Sequence, residues 1–149
     1  MVVQSLKGTE PVVSQPILAE KRIFIVEDDV TNMAVFAVVL KQSGALVVQD
    51  RWNSGTIDFI SQEMPIDIIL LDLMLRGGIS GYDIFAELKT HPELAKIPVV
   101  AVSASDPEIE IPKAKAAGFD GFIGKPIALG SFSRQVAACI NGERIWIAG

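Results

Sequence analysis

The stretch "IDIILLDLMLRGG", residues 66–78, places one carboxylate at the end of an apolar run. Residues 66–71 are apolar except for Asp67, and a run of this length is typical of a strand that is buried on both faces of a sheet. Asp72 follows directly. Burying an unpaired carboxylate costs several kcal/mol or forces the group to take a proton. Asp72 therefore requires charged partners at the same end of the strand.

Length and composition indicate one globular domain. The chain has 149 residues, of which 50% are hydrophobic and 21% charged. The net charge is −5 and there is no basic run, which argues against direct nucleic-acid binding. No apolar run reaches the length of a membrane span, and the start lacks a signal-peptide pattern, so we expect a cytoplasmic location. Cys139 lies in an apolar helical pattern and is expected to be a small core residue.

Strand and helix patterns alternate along the chain. Apolar runs predict strands at 22–26, 45–49, 66–71, 97–102 and 121–124. Helical spacing predicts helices at 31–44, 54–63, 81–89, 107–117 and 131–140. This alternation is typical of a parallel sheet with helices on both faces. Residues 1–20 are expected to be an N-terminal extension, residues 21–142 the domain, and residues 143–149 an apolar C-terminal tail.

Polar residues follow four of the predicted strands. In open sheets of this kind, ligands bind beyond the carboxyl ends of the strands. The residues at those ends are Glu27, Asp28 and Asp29 after the first strand, Asp72 after the third, Ser103 after the fourth, and Lys125 with Pro126 after the fifth. Acids, one hydroxyl group and one lysine are therefore expected to meet at one edge of the sheet.

The chemistry of this set is that of phosphoryl transfer. Clustered carboxylates raise one another's pKa unless a cation joins them, and oxygen ligands with open positions favour Mg²⁺ over Ca²⁺. A bound cation keeps Asp72 ionised and therefore nucleophilic toward phosphorus. The Lys125 ammonium and the Ser103 hydroxyl could neutralise charge on the phosphoryl oxygens.

Four segments carry a resemblance to a known family. They are "IFIVEDD" at 23–29, "ILLDLML" at 69–75, "VVAVSA" at 99–104 and "GFIGKP" at 121–126. With them, roughly residues 21–142 resemble the receiver domain of two-component response regulators. Asp28 and Asp72 are 44 residues apart and Ser103 and Lys125 are 22 apart, as in typical members. The resemblance implies a flavodoxin-like, doubly wound, five-stranded parallel sheet in the order 2-1-3-4-5.

The resemblance also implies a role for each site residue. Asp72 would be the phosphoacceptor. The metal, Mg²⁺ with Mn²⁺ as a substitute, would be bound by Asp28, Asp72 and the backbone carbonyl of Met74, and by Glu27 through a water. The phosphoryl oxygens and the switch would involve Ser103, Lys125 and Phe122, and the peptide bond before Pro126 would be cis.

The implied function is that of a stand-alone receiver. A sensor histidine kinase or a histidine phosphotransfer protein would donate the phosphoryl group. Phosphorylation would add about −1.5 to −2 charge and drive a conformational switch that a downstream effector protein detects. Such a protein is not an enzyme beyond slow self-dephosphorylation. It would be a monomer or weak homodimer, with no membrane contact.

Several positions depart from the family pattern. Arg76 stands where the family usually has proline, and the loop after Asp72 is one residue longer. Phe122 stands where many members have tyrosine. Asp29 is expected to be a solvated neighbour without a direct metal role. The single histidine, His91, is expected at the surface and not as a phosphodonor.

Other functions remain open from the sequence alone. The chain could be a constitutive docking module, or Asp72 could be a buried acid that merely pairs with Lys125. An aspartate-nucleophile phosphatase would need a second acid two residues after the nucleophile, where Met74 stands. A flavin-binding domain would need a phosphate loop where "EDDVTN", residues 27–32, would repel a phosphate.

Two apolar surfaces also remain open. In the first helix, Met33, Phe36, Val39 and Leu40 project to one side, which predicts the core. Ala34, Val35 and Val38 project to the other side. They could dock the phosphodonor or a second copy, be covered by Val12, Val13, Ile17 and Leu18, or have no role. The tail residues Ile145, Trp146 and Ile147 could fold back on the domain or bind a partner.

Overall fold

The structure, a computed structural model, describes residues 15–50 and 55–149 as one six-stranded parallel sheet with helices on both faces. The strands are β1 Arg22–Val26, β2 Leu46–Asp50, β3 Ile68–Leu71, β4 Val99–Ser103, β5 Gly121–Gly124 and β6 Ile145–Ile147. The helices are α1 Val30–Gln42, α2 Thr56–Gln62, α3 Gly81–Lys89, α4 Pro107–Ala117 and α5 Phe132–Ile140, with short 3₁₀ turns at Arg76–Gly78 and Leu94–Lys96. No helix in these ranges is both long and apolar enough to cross a membrane.

The sheet order is β2-β1-β3-β4-β5-β6. The predicted order of the first five strands is therefore confirmed. Successive residues of a strand point to opposite faces, and the central strands are apolar on both. One core cluster contains Phe24, Val26, Ile69 and Leu71, and the other contains Ile23, Ile25, Ile68 and Leu70. Both faces therefore need a helical cover, which the alternating helices provide.

The predicted strand boundaries differ most at the starts of β3 and β4. Both strands begin two residues later than the apolar runs suggested. Ile66 and Ile97 are buried, but they lie before the hydrogen-bonded ladder. Pro98 has no N–H to donate to that ladder. The apolar pattern thus predicted the burial of these positions correctly, but the backbone pairing of each strand begins later.

The sequence prediction of five strands is one short, because Ile145–Ile147 form β6. This strand pairs in parallel with β5, with Phe122 opposite Trp146 and Ile123 opposite Ile147. The tail therefore folds back on its own domain, one of the two alternatives that the sequence left open. A run of three residues is too short for its period to identify a strand.

Part of the N-terminal extension belongs to the core. Leu18 is 0% exposed, lies in the cluster that contains Leu40, and donates its N–H to the carbonyl of Ser43 over 2.9 Å. Ile17 is 50% exposed. Val12 and Val13, which could also cover the outer face of α1, lie outside the described residues.

Replacing Leu18 by alanine tests this packing. Leu18→Ala should lower the free energy of unfolding by roughly 2–5 kcal/mol, because it removes buried methyl groups and leaves a cavity. Urea denaturation followed by circular dichroism would measure the change. Ile17→Ala, next along the chain but exposed, should stay within about 0.5 kcal/mol of the parent. Equal effects of the two substitutions would contradict the assignment of Leu18 to the core.

Candidate functional site

The site residues are held by backbone pairing that continues one step beyond the strands. The N–H of Glu27 donates to Asp50, that of Asp72 to Val26, and that of Lys125 to Ser103, over 2.8–3.0 Å. The carboxyl ends of β1, β3, β4 and β5 are therefore locked in register. Because these bonds fix the backbone, the side chains that follow the strands converge without depending on a flexible loop.

The ammonium of Lys125 lies between two carboxylates. Its Nζ is 2.9 Å from Glu27 Oε1 and 3.3 Å from Asp72 Oδ2. Burial lowers the pKa of Lys125, but the hydrogen bond to Glu27 and the charges of Asp72 and Glu27 outweigh it, so the pKa lies above its usual value. Lys125 is therefore protonated at neutral pH.

Glu27 is the most deeply buried acid of the site. Burial raises its pKa, whereas the hydrogen bonds from Lys125 and from the N–H of Asp29 lower it and the nearby Asp72 charge raises it further. The net direction is upward. Glu27 is thus an acid whose charge requires nearby positive groups, and Lys125 is shared between it and Asp72.

Asp28 and Asp72 complete a compact set of carboxylates. One oxygen each of Glu27, Asp28 and Asp72 lies within 4.8 Å of the other two. Hard oxygen ligands at this spacing suit Mg²⁺, which binds through few carboxylates and keeps several waters. The donor set therefore fits the metal that the sequence predicts, with the three acids as its candidate ligands.

Asp29 has a different task from its two neighbours. It is the N-cap of α1, and its side chain accepts the N–H of Asn32 over 2.8 Å. Its own N–H donates to Glu27 Oε2 over 3.1 Å. Asp29 stands outside the compact set of carboxylates. Three consecutive acids thus serve as a buried acid, a candidate metal ligand and a helix cap.

Arg76 contacts Asp28 through its backbone as well as its side chain. Its N–H donates to Asp28 Oδ2, and its Nε lies 3.9 Å from the same oxygen. The side chain is 81% exposed, so the charge pair is weak. The backbone contact exists only because residue 76 is not proline, which has no N–H. The sequence departure at this position therefore adds a donor that acts on a candidate metal ligand.

Ser103 and Phe122, which the sequence predicts to take part in a switch, are both buried. Ser103 ends β4, and its Oγ accepts the N–H of Ser105 over 3.1 Å. Phe122 in β5 is 0% exposed and belongs to the core cluster of Phe24. The phenylalanine ring therefore points inward.

The loop after Asp72 brings Met74 toward β4. The N–H of Met74 donates to Asp72 Oδ1 over 3.2 Å, and the hydroxyl of Ser105 donates to Met74 Sδ over 3.1 Å. Asp72 is therefore held from two sides, by Met74 at one oxygen and by Lys125 at the other. The peptide bond between Lys125 and Pro126 is cis.

Sequence reasoning missed Gly81 as a residue that shapes the site. A Cβ at Gly81 would overlap the carbonyl oxygen of Asp72 and would lie 2.7 Å from the Cα of Leu73. The N–H of Gly81 donates to Leu73 over 2.8 Å. The start of α3 can approach Asp72 this closely only because residue 81 has no side chain. Its place as the first residue after the loop was the available clue.

The single cysteine and the single histidine lie outside the cluster. Cys139 is buried among apolar residues, and burial raises its pKa to about 11, so it is a thiol at neutral pH. His91 is exposed after α3. Both positions agree with the sequence predictions of a core cysteine and a surface histidine.

Comparisons with known proteins identify relatives over most of the chain. The family model for the response regulator receiver domain matches residues 23–137. The polar-differentiation response regulator DivK of Brucella ovis is 32% identical over 121 residues, which are 81% of this chain and 97% of DivK.

Solved structures give the same fold. A LuxR family DNA-binding response regulator from Silicibacter pomeroyi is 26% identical, with a TM-score of 0.68 over 84% of this chain and 95% of that one. The chemotaxis protein CheY4 of Vibrio cholerae is 15% identical, with a TM-score of 0.69 over 79% and 97%. At 15% identity the likeness to CheY4 concerns the fold alone.

Replacing Arg76 tests whether its N–H competes with a cation for Asp28. Arg76→Pro should bind Mg²⁺ several-fold more tightly than the parent, since the lost hydrogen bond is worth on the order of 1 kcal/mol. The φ of −102° and ψ of 161° at Leu75 suit a residue that precedes proline. Isothermal titration with Mg²⁺ alone gives the dissociation constants.

The matched control is Arg76→Ala, which keeps the N–H and removes only the exposed charge. It should shift Mg²⁺ affinity less than the proline variant does. Equal affinities of the two variants, or weaker binding by the proline variant, would show that the amide does not compete with the metal.

Proposed function

The chain belongs to the response regulator receiver domain family, and from this premise we propose that Asp72 accepts a phosphoryl group from a phosphohistidine. The donor would be a sensor histidine kinase or a histidine phosphotransfer protein. The observation that carries this proposal is the convergence of Lys125, Glu27, Asp28 and Asp72 at one edge of the sheet. A partner protein would then respond to the phosphorylated form.

The geometry supports Asp72 as the nucleophile. Its oxygens are oriented by the N–H of Met74 and the ammonium of Lys125, so the carboxylate is positioned before the donor arrives. One carboxylate oxygen attacks phosphorus and forms the new P–O bond. The P–N bond of the donor breaks, and its electron pair remains on the imidazole nitrogen. Lys125 then pairs with the phosphoryl oxygens, and the Ser103 hydroxyl donates to one of them.

The proposed metal ligands are Asp28, Asp72 and the backbone carbonyl of Met74, with Glu27 acting through a water. When bound, Mg²⁺ neutralises charge on the equatorial phosphoryl oxygens. Mn²⁺ would be an acceptable substitute because it also prefers oxygen ligands. Asp28 must exchange part of its contact with Arg76 for this role.

The proposed switch passes from Ser103 to the face formed by α4, β5 and α5. Ser103 would move from its contact with the Ser105 N–H toward the new phosphoryl oxygens. Phe122 would follow into the space that Ser103 leaves, starting from a position in which its ring is already buried. This is a local charge change that biases a bistable element.

Phosphatase chemistry is the less favoured alternative. An aspartate-nucleophile phosphatase needs an acid two residues after the nucleophile, and that position is Met74, whose sulfur accepts from Ser105. Met74 cannot transfer a proton to a leaving group. We therefore propose at most slow self-dephosphorylation. We also propose a cytoplasmic location, which is compatible with a single buried cysteine.

Labelling with a small phosphodonor tests the acceptor. Acetyl phosphate with Mg²⁺ should add one phosphoryl group per chain, and Asp72→Asn should abolish the addition because an amide is not a nucleophile here. Intact-mass spectrometry measures both. The matched control is Asp29→Asn, since asparagine is also a good N-cap, and it should label like the parent. Equal labelling of the Asp72 variant would refute the assignment.

The outer face of α1 is the proposed docking surface for the phosphodonor. Ala34, Val35 and Val38 are exposed, and Val38 is 54% exposed, whereas Met33 and Leu40 are buried. Leu18 belongs to the core on the other side of the helix, so it does not cover this face. An apolar surface beside the acidic cluster suits a partner that must bring its phosphohistidine to Asp72.

Val38→Glu tests this surface. Phosphotransfer from the kinase or phosphotransfer protein should slow roughly tenfold, as for the loss of about 1.4 kcal/mol at an interface. Labelling by acetyl phosphate and the melting temperature should not change. Ile109→Glu, at an exposed apolar position on α4, is the control and should leave phosphotransfer at the parent rate. If both variants transfer at the parent rate, α1 does not dock the donor.

A further inference from the structure

The tail, residues 143–149, lies beyond the residues that match the family model. It nevertheless forms ordered structure along the free edge of β5. Its strand β6 pairs with three consecutive residues of β5, from Gly121 to Ile123. The tail therefore lies on the output face, the face formed by α4, β5 and α5.

Side chains of the tail contact all three elements of that face. Trp146 stands opposite Phe122 in the ladder and packs against the same core cluster. Lys115 of α4 places its Nζ 5.0 Å from the centre of the Trp146 ring, within the range of a cation–π contact. Ile145 packs against the cluster that contains Val136 of α5. The tail thus bridges the two helices across β5.

The end of the tail touches the backbone that carries the site lysine. A Cβ at Gly149 would lie 2.8 Å from the carbonyl oxygen of Lys125. A Cβ at Gly124 would overlap the nitrogen of Gly149 and lie 2.8 Å from its Cα. The two backbones therefore pack without space for a side chain. If the backbone of Gly124 and Lys125 shifts, the tail must therefore move as well.

We propose that the tail is a built-in ligand of the output face, and that phosphorylation of Asp72 weakens its docking so that a partner can take its place. The partner supplies an extended segment that adds to β5, with an aromatic side chain between two β-branched residues, as in Ile145, Trp146 and Ile147. The trigger in this proposal rests on the proposed phosphorylation of Asp72. The position of the tail does not.

The physical link is the charge of Lys125. In the described state its ammonium is shared by Glu27 and Asp72. A phosphoryl group on Asp72 adds acceptor oxygens further from the sheet, and the ammonium follows them. Because Lys125 is the first residue after β5, its displacement acts on the backbone that Gly149 contacts. The close contact between the Gly124 and Gly149 backbones transmits that displacement to β6.

Hydrogen–deuterium exchange on the intact chain tests the proposal without any substitution. Beryllofluoride with Mg²⁺ is the phosphoryl mimic, and mass spectrometry follows the peptide that contains residues 143–149. Loading of Asp72 should accelerate exchange in that peptide about tenfold, which corresponds to about 1.4 kcal/mol of local stability. Unchanged exchange in a loaded protein would overturn the inference and leave the proposed function standing.

Failure of loading has a different meaning. If neither beryllofluoride nor acetyl phosphate modifies the site, the proposed function fails, and the trigger assigned to the tail fails with it. The two failures are distinguishable because loading is measured at Asp72 and exchange is measured at the tail.

A pair of glycine variants tests the packing directly. Gly124→Ala places a methyl group against the Gly149 backbone and should speed exchange of the tail in the unphosphorylated protein. Gly130→Ala adds the same methyl group where nothing lies within 4 Å, and it should leave exchange at the parent rate. Equal exchange of the tail in both variants would show that the contact does not hold the tail in place.

Discussion

The sharing of one ammonium by two buried acids is the constraint on which the site depends. Lys125 contacts Glu27 and Asp72, and Asp28 lies close enough to join them. Three carboxylates against one lysine leave negative charge in a place where water is scarce. Removing one partner of such a buried pair costs roughly 3–5 kcal/mol because the other charge is left alone. The same surplus charge attracts a divalent cation. The clustered carboxylates that destabilise the fold therefore also favour metal binding at the site.

The parallel sheet holds these charged groups in fixed positions. Hydrogen bonds continue past the ends of the strands to Glu27, Asp72 and Lys125, so the charged groups inherit the register of the ladder. Apolar clusters on both faces hold the strands, and the charges lie only at their carboxyl ends. Rigidity at the site therefore comes from apolar packing several residues away.

The alternation of apolar runs and helical patterns predicted the parallel sheet and the edge where the polar residues meet, whereas the strand order came from the resemblance to the receiver family. The sequence placed Glu27, Asp72 and Lys125 directly after apolar runs, and four of the five predicted strands are mostly buried. It did not predict the burial of Leu18, because prolines around it resemble a loose leader and no period extends through that segment. Nor did it predict the contact of the Arg76 N–H with Asp28, since backbone donors carry no sequence pattern. The closeness of Gly81 to Asp72 depends on how a helix docks, which no local run encodes.

The sequence also could not decide whether the tail folds back on the domain or binds a partner, because no local pattern encodes the answer. Three apolar residues after a helix have no period of their own, and their fate depends on whether an edge strand is free to accept them. The answer lay in β5, whose four residues include two glycines and present little that would repel a neighbour.

The position of β6 also has a consequence for solubility. A sheet that ended at β5 would expose the backbone of an uncharged strand, and such edges can pair with other molecules and promote aggregation. The tail covers that edge with a strand of only three residues, which the charged residues Glu143 and Arg144 precede. A cell that contained much of this protein with its tail released would therefore need enough partner to cap the exposed edges, or it would accumulate aggregates in proportion to the signal.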